Sequence, residues 1–455
     1  MEPKENKMGV MPVRKLIVNM SLPMMASMLV QALYNIVDSI YVSQISEGAL
    51  TAVTLAFPLQ NLMIAFATGI GVGVNALLSK SLGEKNFERA DRAANAGLLL
   101  TVFNAVLFIL LGLFAVKPFI ASQTGIAEIR GYGEVYLRIV CILSMGLFFQ
   151  VMFERLLQST GLTFYSMVSQ MTGAVINIIL DPIMIFGLLG FPKLGVAGAA
   201  YATVTGQTVA ALTGFVLNRK KNKEINLSLR LFLQPGMWVV GRIYRVGIPS
   251  VLMVAIGSVM TYFMNLILGT FTATAQAVFG VYFKLQSFFF MPIFGLNSGL
   301  IPVLAFNYGA RRKDRIEEAL GFALKLAVCI MVTGMLIFEA VPGVLLGMFD
   351  ASEEMLKLGI PALRIIAVHF PLAGVSIALG SVFQAFSKSM YSLVVSICRQ
   401  LVALIPAAWL LAQTGVVRNV WFAFPIAEVV SLIISVFLFR KLYNSTVRTM
   451  EEPKR

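Results

Sequence analysis

The sequence predicts an all-α integral membrane protein with twelve transmembrane helices, arranged as two parallel six-helix repeats. The composition favours a membrane over water, because 58% of the residues are hydrophobic and only 13% are charged. Soluble domains carry about 25% charged residues. The apolar residues form long runs separated by short polar stretches. The second half of the chain also repeats features of the first half at a fixed offset.

Twelve segments are long and apolar enough to cross a bilayer as helices, which takes about 20 residues each. In chain order they are residues 16–43, 50–79, 93–116, 130–154, 163–189, 195–217, 243–269, 275–308, 319–341, 355–386, 390–413 and 419–439. The polar stretch before the first segment is longer than in an ordinary cleaved signal peptide, so we interpret that segment as a retained helix.

Basic residues are concentrated on one side of the predicted membrane. With the N-terminus inside, the stretches on the inner side hold 26 of the 36 Lys and Arg residues. This is the positive-inside distribution of membrane proteins. It predicts a multi-pass protein of the cell membrane with both termini in the cytoplasm. The net charge of +14 is explained by this orientation, and we expect no nucleic-acid partner.

The repeat has a constant offset, which is the distance along the chain from Pro23 to its counterpart Pro249. The same offset still holds far along the first half, where Ser166 recurs as Ser392. Six helices return the chain to the side on which it began, so the two copies have the same orientation, as in several transporters built from parallel repeats.

The duplication also predicts the domain boundaries. Residues 1–217 form an N-terminal lobe with six helices, residues 218–242 form a basic cytoplasmic linker, and residues 243–455 form a C-terminal lobe that ends in a short basic tail.

Two carboxylates distinguish the first copy from the second. Asp38 and Asp181 lie in apolar helices, but their counterparts at the repeat offset are Met264 and Ala407. An ionised carboxylate at mid-bilayer costs about 2.5–3.5 kcal/mol on insertion scales. An acid that only stabilised the fold would be expected in both copies, so the asymmetry favours a function in the first half.

Helix geometry brings these acids to one depth. Asp38, Asp181 and Thr203 each lie five to eight residues from the outer ends of their predicted helices, or roughly 8–12 Å below the outer surface at 1.5 Å per residue. Asn177 precedes Asp181 by one turn on the same helix face, and Asn35 lies about one turn before Asp38. These residues therefore form a candidate site.

Pro182 follows Asp181 and has no amide hydrogen to donate, which leaves the carbonyl of Ile178 without its helical partner. Two carboxylates close together in a low dielectric cannot both stay ionised without a proton or a cation. The sequence therefore predicts a site for H⁺ or Na⁺. The alternative is that neighbouring helices satisfy each acid separately.

Other polar residues within the predicted helices are harder to interpret. Glu134 and Arg138 are spaced for an ion pair. His369, the only histidine, has no companion ligands and is expected to pack or to form a hydrogen bond rather than bind a metal. Lys284 is a candidate for the central cleft. The sequence assigns no role to Lys325, Arg364, Arg399 and Glu428.

These motifs resemble the multidrug and toxic compound extrusion (MATE) family, through "LYNIVDSIYV" in the first helix, "NIILDPIMIFG" in the fifth and "GVAGAAYAT" in the sixth. The resemblance covers nearly the whole chain. It is closest to the bacterial branch that includes DinF-like proteins and the staphylococcal multidrug exporter MepA. It implies two six-helix lobes around a central cavity. It also implies export of organic, often cationic, compounds in exchange for H⁺ or Na⁺.

The resemblance also implies site residues. The family's cation site in the N-terminal lobe corresponds to Asp38, Asn177, Asp181, Ala199 and Thr203. A second branch of the family carries acids on helices 7 and 10, but helix 7 here has none, and this puts a cation site in the C-terminal lobe in doubt.

Two prolines are predicted to allow bending, Pro23 in the first helix and Pro182 in the fifth. The residues predicted to line the cavity are Gln31, Tyr34, Asn35 and Lys284. We expect no cofactor other than bound H⁺ or Na⁺ and no metal site beyond Na⁺ at the two acids. The expected partners are small organic substrates and the lipid bilayer, with the protein as a monomer.

Two kinds of alternative remain at the level of sequence. A flippase for lipid-linked saccharides would share the architecture and would use a more cationic cavity, for which the basic residues of helices 8 to 11 are candidates. A membrane enzyme would need a nucleophile and base or a metal cluster, which the isolated histidine does not provide. The sequence identifies neither the substrate nor the coupling ion.

Overall fold

The computed structural model describes residues 6–349 and 351–450, and these residues form helices, turns and loops with no strand among them. Ten of the described helices are long and apolar enough to cross a membrane. Two further pairs of helices, bent by 47° and 46°, each satisfy the same criterion when counted as one span. With these pairs, the described part of the chain has the twelve spans that the hydropathy predicts.

We number the spans from 1 to 12 in chain order. Spans 1 to 6 are Val13–Ser43, Glu47–Gly83, Phe87–Phe114, the bent pair Ala127–Ile142 and Met145–Ser159, Thr163–Phe186 and Val196–Lys221. Spans 7 to 12 are Met237–Gly269, Ala273–Gly309, Lys313–Ala340, the bent pair Glu353–Ala367 and Phe370–Ala385, Ser389–Ala412 and Val417–Val447. Short helices at Lys7–Val10, Val116–Gln123, Leu229–Leu233 and Pro342–Gly347 precede or connect the spans.

The repeat extends to the bounds of the helices. Spans 8, 9 and 11 begin and end at the repeat offset from spans 2, 3 and 5, and the two bent pairs are spans 4 and 10. The same cap begins spans 2 and 8. The side-chain oxygen of Ser46 accepts a hydrogen bond from the amide of Ala49 at 3.0 Å, and that of Thr272 accepts one from Ala275 at 3.1 Å. Such a cap satisfies an amide that has no partner within its helix.

The described residues separate into two compact units. The first unit comprises Asn6 and residues 26–251, and the second comprises residues 7–25, 252–349 and 351–450. Each unit therefore contains the first part of a span whose remainder belongs to the other unit. We call residues 7–25 and 237–251 the exchanged helix starts. The predicted boundaries at residues 217 and 243 stay a prediction.

Glycines let each exchanged helix start pack closely within its unit. In the first unit, a Cβ added to Gly69 would lie 2.8 Å from the backbone nitrogen of Val251. In the second unit, a Cβ added to Gly295 would lie 2.6 Å from the backbone nitrogen of Met25. The two contacts are related by the repeat offset. Because only glycine leaves room for such an approach, small residues bring these backbones together, as is common between membrane helices.

The core of the first unit is a continuous cluster of buried apolar side chains contributed by all six of its spans. Met63, Phe108 and Leu137 are fully buried in it, and Ile185 extends it to the residues next to the candidate site. Lipid tails are as apolar as these side chains, so the cluster is stabilised chiefly by close packing rather than by exclusion of water.

One predicted ion pair is wrong. Glu134 accepts a hydrogen bond from the guanidinium of Arg130 at 2.9 Å, one turn before it, rather than pairing with Arg138 one turn after it. Both arrangements have the same spacing on a helix, so the sequence pattern alone could not distinguish them.

Arg315 holds the N-terminal segment within the second unit. Its guanidinium donates to the backbone carbonyls of Met8 at 3.0 Å and Met11 at 2.8 Å, and also to the side chain of Asn307 at 3.0 Å. We expect Arg315→Gln to loosen residues 7–11 and to destabilise the unit by about 2 kcal/mol, because hydrogen bonds from charged groups contribute about 1.5–3 kcal/mol. Hydrogen exchange of residues 7–11 in detergent measures the loosening.

The matched control is Arg312→Gln. Arg312 is exposed and lies 3.7 Å from the carboxylate of Asp314 at the surface, where such pairs contribute about 0–1 kcal/mol. Equal exchange rates in the two variants would contradict the assignment.

Candidate functional site

Spans 5 and 6 approach each other closely enough to bring their polar side chains together. A Cβ added to Gly206 would lie 2.7 Å from the carbonyl oxygen of Gly173. One added to Gly198 would lie 2.4 Å from the carbonyl oxygen of Met184. The backbones therefore touch at two levels, and Asn177 and Thr203 lie between them along the helix pair.

Four polar side chains of the first unit meet at this point. The amide nitrogen of Asn177 lies 3.4 Å from Oδ1 of Asp181 and 3.4 Å from Oγ1 of Thr203. Asp38 approaches from span 1, and its carboxyl group is within hydrogen-bonding reach of Asp181. Asp181 is fully buried, whereas Asp38 is half-buried. The proximity expected from the depth of these residues is therefore present in the structure.

The cluster has more oxygen acceptors than donors. Oδ1 of Asp38, Oδ2 of Asp181 and Oδ1 of Asn177 are buried and have no hydrogen-bond partner among the residues that the structure describes. A buried acceptor without a partner costs about 1–3 kcal/mol, and more when it is charged. A proton or a hard cation would relieve this cost, because such ions prefer oxygen ligands. The donor set thus fits H⁺ or Na⁺.

Two tyrosines border the carboxylates. Tyr34 lies one turn before Asp38, and Tyr136 of span 4 is fully buried near both acids. The hydroxyl of Tyr136 lies 3.5 Å from the side-chain oxygen of Gln60, to which it can donate. Tyr34 was predicted to line a cavity. Tyr136 was not identified, because nothing in the sequence indicates which face of the bent span 4 points to the acids.

The other predicted residues of the first unit are distributed around this cluster. Ala199 is fully buried one turn before Thr203. Gln31 accepts a hydrogen bond from Gln170 at 3.0 Å. Asn35 is exposed, and its backbone carbonyl accepts a hydrogen bond from Ser39 at 2.8 Å. Their roles stay predictions.

The predicted bending residues and Lys284 lie as follows. Pro23 and Pro182 are inside continuous helices, spans 1 and 5. Lys284 belongs to the second unit, where its exposed ammonium lies 5.9 Å from the ring centroid of Phe349. Its predicted place in the central cleft stays a prediction.

A multidentate metal centre is not found in the part of the chain that the structure describes, since no three His, Cys, Asp or Glu residues there are grouped to hold a metal ion. The two acids with their amide and hydroxyl neighbours are suited to a small, exchangeable cation.

Comparison with known proteins identifies the fold. The MatE family model matches the chain twice, at residues 23–183 and 249–410. The chain is 27% identical over 445 residues to a FAD transporter of Shewanella oneidensis, covering 95% of each chain. It is 25% identical over 438 residues to the multidrug export protein MepA of Staphylococcus haemolyticus, covering 94% of each.

A solved structure of an outward-facing multidrug resistance MATE family transporter superposes with a TM-score of 0.92 at 28% identity, covering 99% of this chain and 100% of that one. The two family matches begin at residues 23 and 249, which are the same two positions that define the internal repeat. The chain therefore belongs to the MatE family, the multidrug and toxic compound extrusion transporters.

Proposed function

We propose that this multidrug efflux transporter exports organic, often cationic, compounds by antiport with H⁺ or Na⁺, which binds between Asp38 and Asp181. The observation that carries the proposal is the pair of carboxylates with buried oxygen atoms that have no partner in the described part of the chain. The amide of Asn177 lies next to both Asp181 and Thr203, so Thr203 supports the site by holding Asn177 beside the carboxylate.

Ion binding would act through the charge of the pair. Without an ion, the two carboxylates repel each other in a low dielectric. A bound proton or Na⁺ removes the repulsion and draws span 1 towards span 5. Pro23, which cannot donate a backbone hydrogen bond, is a weak point at which span 1 can bend in response.

When the exported compound is neutral, the membrane potential drives this exchange. One positive charge moving inward across 100 mV releases roughly 2.3 kcal/mol, which maintains about a fiftyfold gradient of a neutral substrate. The ion moves inward because the cytoplasmic side of the cell membrane is electrically negative.

The names of the relatives widen the range of substrates. The MepA relative is a multidrug export protein and the Shewanella relative is a FAD transporter, so compounds with acidic groups are candidates beside organic cations. Drug efflux is favoured over a lipid-linked saccharide flippase, because one relative is a multidrug export protein and the other is a FAD transporter. We expect the monomer to be the working unit.

Proteoliposomes loaded with ethidium test the proposal, with the Na⁺ gradient and the pH gradient imposed separately. We expect one of these gradients to drive ethidium against its own concentration gradient, because the carboxylate pair binds one ion in each transport cycle. The gradient that succeeds identifies the coupling ion. If neither gradient moves ethidium while the purified protein remains folded, the antiport proposal is wrong.

A further inference from the structure

The second unit contains a separate cluster of buried ionisable side chains, which the proposed antiport does not use. Glu428 of span 12 lies 3.8 Å from Nδ1 of His369 and 3.7 Å from a guanidinium nitrogen of Arg399. The hydroxyl of Tyr282 lies 3.1 Å from Nε2 of His369. These four residues come from spans 8, 10, 11 and 12. The sequence alone indicated no partners for His369, Arg399 and Glu428.

The repeat shows that this cluster belongs to the second half alone. In the first half, the counterparts of Tyr282, His369, Arg399 and Glu428 at the repeat offset are Ala56, Leu143, Gly173 and Ala202. The two acids of the first half likewise have only apolar counterparts in the second. Each half therefore has a buried polar cluster at positions where the other half has apolar residues, and the two clusters lie at different positions of the repeat. Buried charges are expensive in a membrane protein and are retained mostly for function.

Arg399 lies in a part of span 11 where the backbone departs from a regular α-helix. Span 11 contains a π-helical segment at Cys398–Leu404, whereas span 5 is regular α-helix at the corresponding residues. π-helical turns widen a helix locally and are frequent at functional sites. Arg399 is the second residue of this segment.

Arg399 borders a cavity of about 110 Å³ within the second unit. The polar part of the wall consists mostly of amides and hydroxyls, among them Asn297, Gln384, Ser396, Ser431 and Ser435. Glu428 and His369 are not part of the wall. The charge presented to the cavity is therefore positive, with its counter-ion behind it.

Arg399 has unused hydrogen-bonding capacity. Its side chain is 28% exposed, and its contact with Glu428 is longer than a hydrogen bond. No hydrogen bond from its guanidinium is found among the described residues, although the group has five N–H donors. Ser435 adds a buried hydroxyl that has no partner among the described residues. Because Arg399 borders the cavity, its free donors are available to a group bound there.

We propose that this cavity binds the anionic oxygen group, carboxylate or phosphate, of exported compounds that carry one, with Arg399 as the principal donor. A guanidinium matches both groups with two parallel hydrogen bonds. The volume suits one such group rather than a whole drug. The proposal rests on the proposed function, since it specifies part of the exported compound.

Paired ligands that differ in the anionic group test the proposal by direct binding to the purified protein. The pairs are FMN with riboflavin, and norfloxacin with its methyl ester. We expect the anionic member of at least one pair to bind about tenfold or more tightly, since a charge-assisted hydrogen bond stabilises by about that factor. Preference in the FMN pair indicates phosphate, and preference in the norfloxacin pair indicates carboxylate.

Arg399→Gln is expected to bring the affinity ratio close to one, and Arg399→Lys to keep part of it. The matched control is Arg364→Gln, which removes an exposed arginine of span 10 that donates to the carbonyl of Glu339. This control should keep the wild-type ratio. Melting temperatures verify that each variant is folded.

A wild-type protein that binds both members of each pair equally would overturn the proposal, as would a folded Arg399→Gln variant with an unchanged ratio. Ethidium carries no acidic group, so gradient-driven ethidium transport by the wild type tests the proposed function separately. Absence of any anionic preference together with intact ethidium transport would refute this inference alone.

Discussion

Asp181→Asn is expected to abolish ion-coupled efflux while leaving the protein folded. Asparagine has the shape of aspartate and keeps an oxygen for Asn177, which lies 3.4 Å away, but it cannot release a proton or carry a negative charge. Loss of one charged ligand should lower ion affinity about ten- to a hundredfold. Gradient-driven ethidium efflux from proteoliposomes measures the effect.

The control for this change is Asp314→Asn. Asp314 is an exposed acid at the start of span 9, 3.7 Å from Arg312, and its substitution should leave efflux unaltered. Efflux at the wild-type rate by a folded Asp181→Asn protein would show that coupling occurs elsewhere.

Gly198→Ala is expected to have the largest effect on the geometry of the site without changing any of its polar groups. The added methyl group would lie 2.4 Å from the carbonyl oxygen of Met184, and backbone at that distance cannot rotate away. Spans 5 and 6 must separate, at a cost of about 1–3 kcal/mol for an overpacked contact. The separation moves Thr203 away from Asn177. A lower melting temperature and a reduced rate of ion-driven efflux are the expected readings.

Gly321→Ala on span 9 is the matched control, because a Cβ there meets nothing within 4 Å. Alanine favours a helix over glycine by about 0.5–1 kcal/mol, so this variant should be as stable as the wild type or slightly more so. Should both variants melt at the wild-type temperature, the close contact between spans 5 and 6 would be wrong.

The sequence predicted the spans well because their pattern is local. Spans 2, 5 and 8 lie within a few residues of the predicted segments, as apolar length and capping residues define them. The bends in spans 4 and 10 were not predicted. In span 10 the break precedes Pro371, which is a clear sequence signal, but in span 4 the break near Leu143 precedes only Gly146, which is a weaker one. That bend depends on packing between helices, which periodicity does not report.

The acidic cluster was predictable because its members share one depth. Counting residues from the helix ends placed Asp38 near Asp181 and Thr203, and the i, i+4 spacing added Asn177. Depth alone does not give the rotation of a helix about its axis. For that reason Tyr136 was missed, as was the convergence of His369, Arg399 and Glu428 in the second unit.

The exchanged helix starts also bear on the order in which the chain can fold during synthesis. Residues 7–25 are synthesised before spans 2 to 7, but their glycine partners Gly295 and Gly299 are made only after those spans. At about 5–20 residues per second, the start of span 1 is synthesised on the order of ten seconds or more before span 8, against which it packs. Likewise, the first unit is incomplete until residue 251 has been made. A chain divided between residues 222 and 236 would therefore yield two fragments, each lacking the helix start that completes its own unit and carrying the one that belongs to the other unit.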